Sequence, residues 1–233
     1  MALAIEDYAM IGDTHTAALV GRDGSIDWLC FPRFDSDACL AALLGRPEHG
    51  RWSLAPAESV REVRRRYLPG TLALETEFRT DEGTVQTIDF MPPRGGIADV
   101  FRIARGIEGR VRMRHELLVR FGYGRTVPAI DVDGEGDTHV WAGPDALVLR
   151  ASVDTRVEDG RVVADFTLGE GDEATFAMAW HPAHEAPPKP PEPRSALDDT
   201  IAYWEDWCAR CAHEGPYAEA VRRSLLTLKA LTY

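Results

Sequence analysis

The clearest pattern in the chain is an alternation of apolar and polar residues, which is typical of β-strands. Between Arg110 and Phe121 every second residue is apolar or His115, while arginines and Glu116 occupy positions between them. A period of two predicts an antiparallel strand with one buried and one wet face. Similar runs recur up to residue 185, joined by short turns, which predicts about a dozen strands. We therefore expect an all-β fold, a large antiparallel two-sheet β-sandwich.

Residues 5–45 contain a predicted hairpin followed by a polar loop. Two apolar runs flank the tight turn 21–24, which has a glycine at each end and so tolerates positive φ angles. The second run leads into the loop 31–37, where Pro32 lacks an N–H group and regular strand pairing is expected to stop. After this loop we expect a short helix that begins near Ala38.

The loop 31–37 is the first candidate for a functional surface. Arg33, Phe34 and Asp35 bring a guanidinium, an aromatic ring and a carboxylate to the end of a rigid hairpin. Binding residues often lie on loops of this kind. In the structural alternative, Arg33 and Asp35 pair with each other while the aromatic rings of the loop anchor it. The sequence leaves both interpretations open.

The composition changes sharply at Ala186, where the chain enters a proline-rich run, 187–193, that is typical of a semi-rigid spacer. Ser195 is then expected to start an amphipathic helix, with Asp198 completing a capping box. A second helix is expected from Tyr217, with no stop signal before the last residue. These boundaries predict three regions. Residues 1–185 form a β-sandwich domain, residues 186–215 form a linker with its helix, and residues 216–233 start a helical domain.

Five stretches along the chain carry a resemblance to a known family. They are residues 5–45, Asp89-Phe90-Met91-Pro92-Pro93, Gly143-Pro144-Asp145-Ala146-Leu147, Trp180-His181-Pro182 and residues 223–231. In this order they resemble family 15 glycoside hydrolases of the bacterial glucoamylase and trehalase type. The resemblance implies a β-sandwich followed by an (α/α)6 barrel that carries two catalytic glutamates. This chain would then hold the sandwich, a linker helix and the first helix of the barrel, and no catalytic residue.

The resemblance implies inverting hydrolysis of α-glucosidic bonds, in trehalose or at the ends of α-glucans, by a general acid and a general base. No cofactor is implied. The sandwich would brace the barrel, its partner in the same chain, and lend a loop to the rim of the sugar site. The rim candidates are Trp28, Arg33, Phe34 and Asp35. The candidates for contacts between domains are His181, His184, Trp204 and Trp207.

A stand-alone carbohydrate-binding or scaffolding module is the alternative. Exposed aromatic residues such as Trp28, Trp52 and Trp141 could stack on sugar rings. Tryptophan is highly buried on average, so positions in the core or at an interface are the simpler explanation. A helix that stops in mid-pattern favours the first interpretation, because a finished module is not expected to end there.

Cys208 and Cys211 have the spacing of a metal or redox pair, with His213 nearby. A zinc site needs further ligands, and both cysteines fall on the apolar stripe of the predicted helix, where cysteine packs as a small hydrophobe. We therefore expect no metal site.

The formal net charge is −12, which argues against nucleic acid or an anionic membrane as a partner and suits a neutral sugar. The first ten residues have no basic run and no long apolar segment. We therefore expect no signal peptide, no membrane span, reduced cysteines and a cytoplasmic location. The sequence does not indicate an oligomeric state.

Overall fold

The computed structural model describes residues 3–232, which form two antiparallel β-sheets packed face to face with helices at the carboxyl-terminal end. The strands are β1 (Tyr8–Gly12), β2 (Ala17–Gly21), β3 (Ser25–Cys30), β4 (Ala38–Leu40), β5 (Arg51–Pro56), β6 (Glu62–Tyr67), β7 (Leu74–Arg79), β8 (Gly83–Phe90), β9 (Ala98–Leu118), β10 (Ala129–Val132), β11 (Thr138–Ala142), β12 (Asp145–Ala151), β13 (Arg156–Glu158), β14 (Arg161–Gly169) and β15 (Glu173–Pro182). The helical segments are α1 (Phe121–Gly124), α2 (Pro193–Ala209) and α3 (Ala218–Ala230). Short 3-10 turns lie at Ile5–Asp7, Ala42–Leu44 and Pro47–His49.

Every strand pairing is antiparallel, and the strands divide into two layers. Sheet A has the order β1-β2-β3-β5-β9-β14-β13, with β4 beside β3. Sheet B has the order β6-β7-β8-β9-β15-β12-β11-β10. Apolar side chains of the two inner faces form one continuous core. The predicted all-β, two-sheet sandwich is confirmed.

Strand β9 belongs to both sheets. Its first half pairs with β8 and β15, and its second half pairs with β5 and β14. The sequence predicted a strand from Arg110, but β9 begins at Ala98 and bends at Gly109 (φ +69°) without leaving the ladder. A Cβ at Gly109 would lie 2.1 Å from the backbone oxygen of Glu82, so glycine permits this close approach. The predicted alternation after the bend is confirmed, since Val111 and Met113 are buried.

A buried ion pair joins the two layers. Arg102 and Asp89 are both fully buried, and Nε of Arg102 lies 2.7 Å from Oδ1 of Asp89. The same guanidinium donates to the backbone oxygens of Trp52, at 2.8 Å, and Gly24, at 2.7 Å. Asp89 and Arg102 are on sheet B and the two carbonyls are beside sheet A, so one side chain links the layers.

A second polar contact in the core involves His115. The indole N–H of Trp52 donates to Nε2 of His115 at 2.8 Å, and the imidazole stacks on Phe176 with centroids 4.4 Å apart. Burial, and then the charge of Arg102, lower the pKa of His115 to about 3, so its ring is neutral near neutral pH. Trp52 is therefore a core residue and is not available to a sugar.

Two local expectations are wrong. In place of a helix near Ala38 the chain forms β4, because Ala38 and Leu40 pair with residues of β3 and extend sheet A. Helix α2 begins at Pro193, and its cap is Glu192, whose carboxylate accepts from the backbone N–H of Ser195 at 3.0 Å. A proline at the first helical position suits this start because its missing N–H would have no partner there.

Candidate functional site

Three loops meet at one end of sheet A, and we call them the loop cluster. They are residues 13–16 between β1 and β2, 31–37 between β3 and β4, and 91–97 between β8 and β9. The N–H of Phe34 donates to the backbone oxygen of His15 at 2.9 Å, and the N–H of Arg94 donates to that of Asp13 at 2.9 Å. The guanidinium of Arg94 also donates to the backbone oxygen of Pro32 at 2.7 Å. All three loops are therefore tied to one another.

Asp13 is the centre of the loop cluster. Its carboxylate is fully buried and accepts from the backbone N–H groups of His15, at 2.8 Å, and Thr16, at 2.7 Å. It also accepts from Nε of Arg94 at 2.7 Å. A buried carboxylate needs such a complete set of donors to offset its desolvation. The set fixes the positions of the loops that carry Arg33 and Phe34.

Asp99, at the start of β9, is a second buried carboxyl group beside Asp13 and Arg94. Burial, and then the negative charge of Asp13, raise the pKa of Asp99 to about 7, while Arg94 opposes the shift. Asp99 therefore holds its proton to a higher pH than an exposed aspartate does.

The predicted rim residues Arg33, Phe34 and Asp35 lie on the exposed side of the loop cluster. Arg33 donates to Asp35 through two parallel hydrogen bonds, Nε to Oδ1 at 2.9 Å and Nη2 to Oδ2 at 3.1 Å. Both side chains are more than half exposed, and Phe34 is also exposed. The local pairing in the structural alternative is thus present, and the pair remains at the surface.

Trp28, the fourth rim candidate, is half-buried on β3 and faces the ring of Tyr123, with centroids 6.1 Å apart and a tilt of 39° between the planes. Tyr123 belongs to α1, where Gly122 and Tyr123 both have left-handed angles. Asp37 approaches this segment, since a Cβ at Gly122 would lie 3.9 Å from its Oδ2. The result is an aromatic pair with a carboxylate beside it.

The aromatic pair lies on the same face of sheet A as helix α3. Met10 pairs with Leu19, and Leu19 pairs with Trp28, so the three side chains project from one face. Met10 packs against the buried cluster that includes Leu226 and Ala230 of α3. Helix α3 therefore covers the β1 edge of this face, and Trp28 lies two strands further along it.

The interdomain candidates fall into different environments. His184 has an exposed side chain, whereas His181 is buried at the end of β15. Strand β15 continues to Pro182, pairing His181 with Ala146 of β12. Pro182 does not interrupt the ladder because it is the last residue of the strand.

Trp204 is fully buried between α2, α3 and the sandwich, where it contacts the cluster of Leu72, Leu226 and Ala230. Trp207 packs at the edge of the same cluster, with Arg210 and Lys229 over its ring. The two tryptophans therefore attach the helices to one another and to the sandwich.

Helix α3 has apolar side chains on two sides. Leu226 and Ala230 are buried against the sandwich, whereas Leu225, Leu228 and Leu231 are exposed, Leu228 by 63%. The sandwich therefore covers the side of α3 that carries Leu226 and Ala230 and leaves the side of the three leucines uncovered.

Cys208 and Cys211 are free thiols beside Trp207. Cys208 donates weakly to the backbone oxygen of Gly70, at 3.4 Å, and its burial raises the pKa of its thiol. Among residues 3–232 no group of three or more histidine, cysteine, aspartate or glutamate side chains is placed to hold a metal ion. Within the same residues, no helix has the length and apolar character needed to cross a membrane.

Sequence reasoning missed Asp13, Arg94, Asp99 and Tyr123. The first three are far apart in the chain, and only the sheet topology brings them together. Tyr123 had a local signal, because a tyrosine between two glycines suggests a backbone that needs positive φ angles.

Comparisons of the sequence with protein families and curated proteins, and of the fold with solved structures, all find similar glycoside hydrolases. Residues 1–165 match the family described as trehalase-like, N-terminal. The chain is 29% identical over 98% of its length to trehalases of Mycolicibacterium smegmatis and Mycobacterium tuberculosis. It spans only 38% and 37% of the lengths of these relatives. The fold is similar to that of a bacterial glucoamylase complexed with acarbose, with a TM-score of 0.68 at 8% identity over 95% of this chain and 40% of the glucoamylase.

Proposed function

Because the chain belongs to the trehalase-like N-terminal family, we propose that it is the non-catalytic amino-terminal sandwich of a longer family 15 glycoside hydrolase. The substrate of that enzyme is an α-glucoside, either trehalose or the end of an α-glucan. Its two catalytic glutamates lie on a helical barrel that follows the sandwich. One activates water and the other protonates the glycosidic oxygen.

The observation that carries this proposal is the exposed apolar side of α3. Leu225, Leu228 and Leu231 form a stripe that the sandwich does not cover. Exposed apolar patches of this kind mark a surface that contacts another protein element. The similar trehalases are more than twice as long as this chain, so the barrel is the occupant we propose, with α3 as its first helix.

The sandwich then has two roles. It braces the barrel through α2, α3 and the tryptophans between them. It also presents the loop cluster beside the barrel, since a Cβ at Gly12 would lie 3.6 Å from Cβ of Ala230, near the end of α3. The guanidinium of Arg33 is suited to adjacent sugar hydroxyls or to a catalytic carboxylate, because it donates two hydrogen bonds in a fixed fork.

A stand-alone carbohydrate-binding module is the second candidate. Trp141, which is 39% exposed on β11, and the pair of Trp28 and Tyr123 favour it, because exposed aromatic rings suit sugars. The uncovered stripe of α3 argues against it, since a finished module would leave three leucines in water.

Kinetics of an Arg33→Ala variant of the longer enzyme test the rim role. Loss of one charged hydrogen bond to substrate or catalytic carboxylate should lower kcat/KM about ten- to a hundredfold. The melting temperature should change little, because the side chain is exposed and its pair with Asp35 is at the surface.

The matched control is Arg61→Ala, which breaks a similar two-bond pair with Asp81, at 2.7 Å and 2.7 Å, on the β6 side of sheet B. We expect wild-type kinetics for this control. If Arg33→Ala also keeps wild-type kcat/KM and only lowers the melting temperature, the pair with Asp35 is structural and the rim role is wrong.

A further inference from the structure

We propose that Trp28 and Tyr123 form a stacking site for a glucopyranose ring. The inference rests on the proposed function for the choice of sugar, and it goes beyond that function by assigning a role to Tyr123. The occupant is a neutral α-glucoside, and the site holds a sugar ring without taking part in bond cleavage.

The geometry suits a sugar ring. The two aromatic planes are tilted by 39° with centroids 6.1 Å apart. The rings are therefore not stacked face to face on each other. Tyr123 is 38% exposed and Trp28 is half-buried, which leaves aromatic surface open to solvent. The axial C–H groups on one face of glucopyranose are apolar, and an aromatic ring can cover them while the sugar hydroxyls stay hydrated.

Polar groups for the hydroxyls lie at the edge of this surface. Within residues 3–232, the indole N–H of Trp28 and the hydroxyl of Tyr123 take part in no hydrogen bond. Asp37, an exposed carboxylate, lies beside Gly122. Neither polar atom is buried, so both are open to water or to the hydroxyls of a ligand.

The backbone at Tyr123 is costly for a tyrosine. Its φ of 61° and ψ of 40° are left-handed, a conformation that a residue with a Cβ rarely adopts. The flanking Gly122 (φ +61°) and Gly124 (φ +91°) share positive angles without this cost. Glycine would fit position 123 better, so the ring has a use that offsets the strain. Strained residues of this kind cluster at ligand sites.

The position fits an enzyme whose barrel follows α3. Trp28 shares the outer face of sheet A with Met10, which α3 contacts, and it lies on the strand that leads into the loop carrying Arg33. A sugar on this pair would lie beside the loop cluster. The site we propose is therefore on the face of sheet A that α3 partly covers.

Binding is tested on the 233-residue chain by NMR, with the indole N–H signals as reporters and maltotriose and trehalose as ligands. We expect a saturable shift of the Trp28 indole signal with at least one of the two sugars. The Trp141 indole, on the far side of sheet B, should not move. The catalytic barrel plays no part in this measurement, so its outcome is independent of glucose release by the longer enzyme, which tests the proposed function.

Two variants at position 123 separate binding from packing. Tyr123→Gly and Tyr123→Asn both tolerate left-handed angles and remove the ring. We expect the Trp28 shift to be lost in both, while the melting temperature of Tyr123→Gly stays equal to that of the wild type or rises. The matched control is Tyr203→Ala on α2, because Tyr203 is 37% exposed and also packs on a tryptophan, Trp204. It should leave the shift intact.

The inference is overturned if neither sugar moves the Trp28 signal, or if Trp141 responds in the same way. It is also overturned if both variants at position 123 keep the wild-type shift. A Tyr123→Gly variant with a lower melting temperature and an unchanged Trp28 shift would show that Tyr123 serves packing alone.

Discussion

At the scale of single residues, the buried ion pair of Arg102 and Asp89 is predicted to stabilise the packing of the two sheets. Asp89→Ala leaves the buried guanidinium of Arg102 without its counter-charge, which typically costs about 3–5 kcal/mol of the free energy of unfolding. Urea unfolding measures this loss. The control, Asp81→Ala, removes the partner of Arg61 from a pair at the surface and should leave the urea midpoint nearly unchanged. Equal losses in the two variants would contradict a special role for the buried pair.

Asp99 is expected to make stability depend on pH. Its pKa is raised from 3.8 to about 7 in the folded protein, so between these values the folded state binds more protons than the unfolded state. The stability that this group contributes is present below its unfolded pKa and is lost as pH rises, by up to about 1.4 kcal/mol per pH unit. An Asp99→Asn variant, which stays neutral, should therefore gain stability over the wild type on going from about pH 4 to about pH 8.

Unfolding of both proteins by urea across this pH range provides the measurement. The difference between variant and wild type should grow through the window and level off above the folded pKa of Asp99. A constant difference would mean that Asp99 ionises in the folded protein as it does in the unfolded chain.

The sequence predicted residues of the candidate site only where the signal was local. Arg33, Phe34 and Asp35 stand together in one polar loop, and the structure places them together. Asp13 and Arg94 are 81 residues apart, and nothing near either residue predicts their pairing. Such contacts depend on which strands become neighbours, which a period of apolar residues does not determine.

At the scale of elements, helices α2 and α3 depend on Trp204. Its side chain is fully buried in the cluster that joins both helices to Leu72 of the sandwich. Trp204→Ala should lower the free energy of unfolding by about 3–5 kcal/mol, because it leaves a large cavity. The matched control is Trp141→Ala, which removes a partly exposed indole from β11. An unchanged melting temperature for Trp204→Ala would show that the helices are not anchored in this way.

Strands were predicted well where apolar and polar residues alternate. They were predicted poorly where tertiary contacts determine whether a segment forms a strand or a helix. Strands β11 and β12 are among the predicted short strands joined by turns, and their turn consists of Gly143 and Pro144. A helix was predicted at β4 because Asp35 or Ser36 could cap its start and Gly45 could end it. Pairing with β3 decides the outcome, since it extends a sheet that is already formed.

At the scale of the whole molecule, one long strand sets the arrangement. Strand β9 runs through both sheets, so the layers share a covalent connection as well as a core. Arg102 of the same strand ties the layers by hydrogen bonds. The loop cluster starts beside the end of α3, since a Cβ at Gly12 would lie 3.6 Å from Cβ of Ala230.

The most direct test of the central claim compares glucose release by two purified proteins, the 233-residue chain and the longer protein that includes the proposed barrel. Trehalose, maltose and starch are the substrates, and heat-denatured samples control for contaminating activity. We predict that the longer protein releases glucose from at least one substrate and that the 233-residue chain releases none. Turnover by the 233-residue chain that is lost on denaturation would contradict the account, because it would place the catalytic residues within the sandwich.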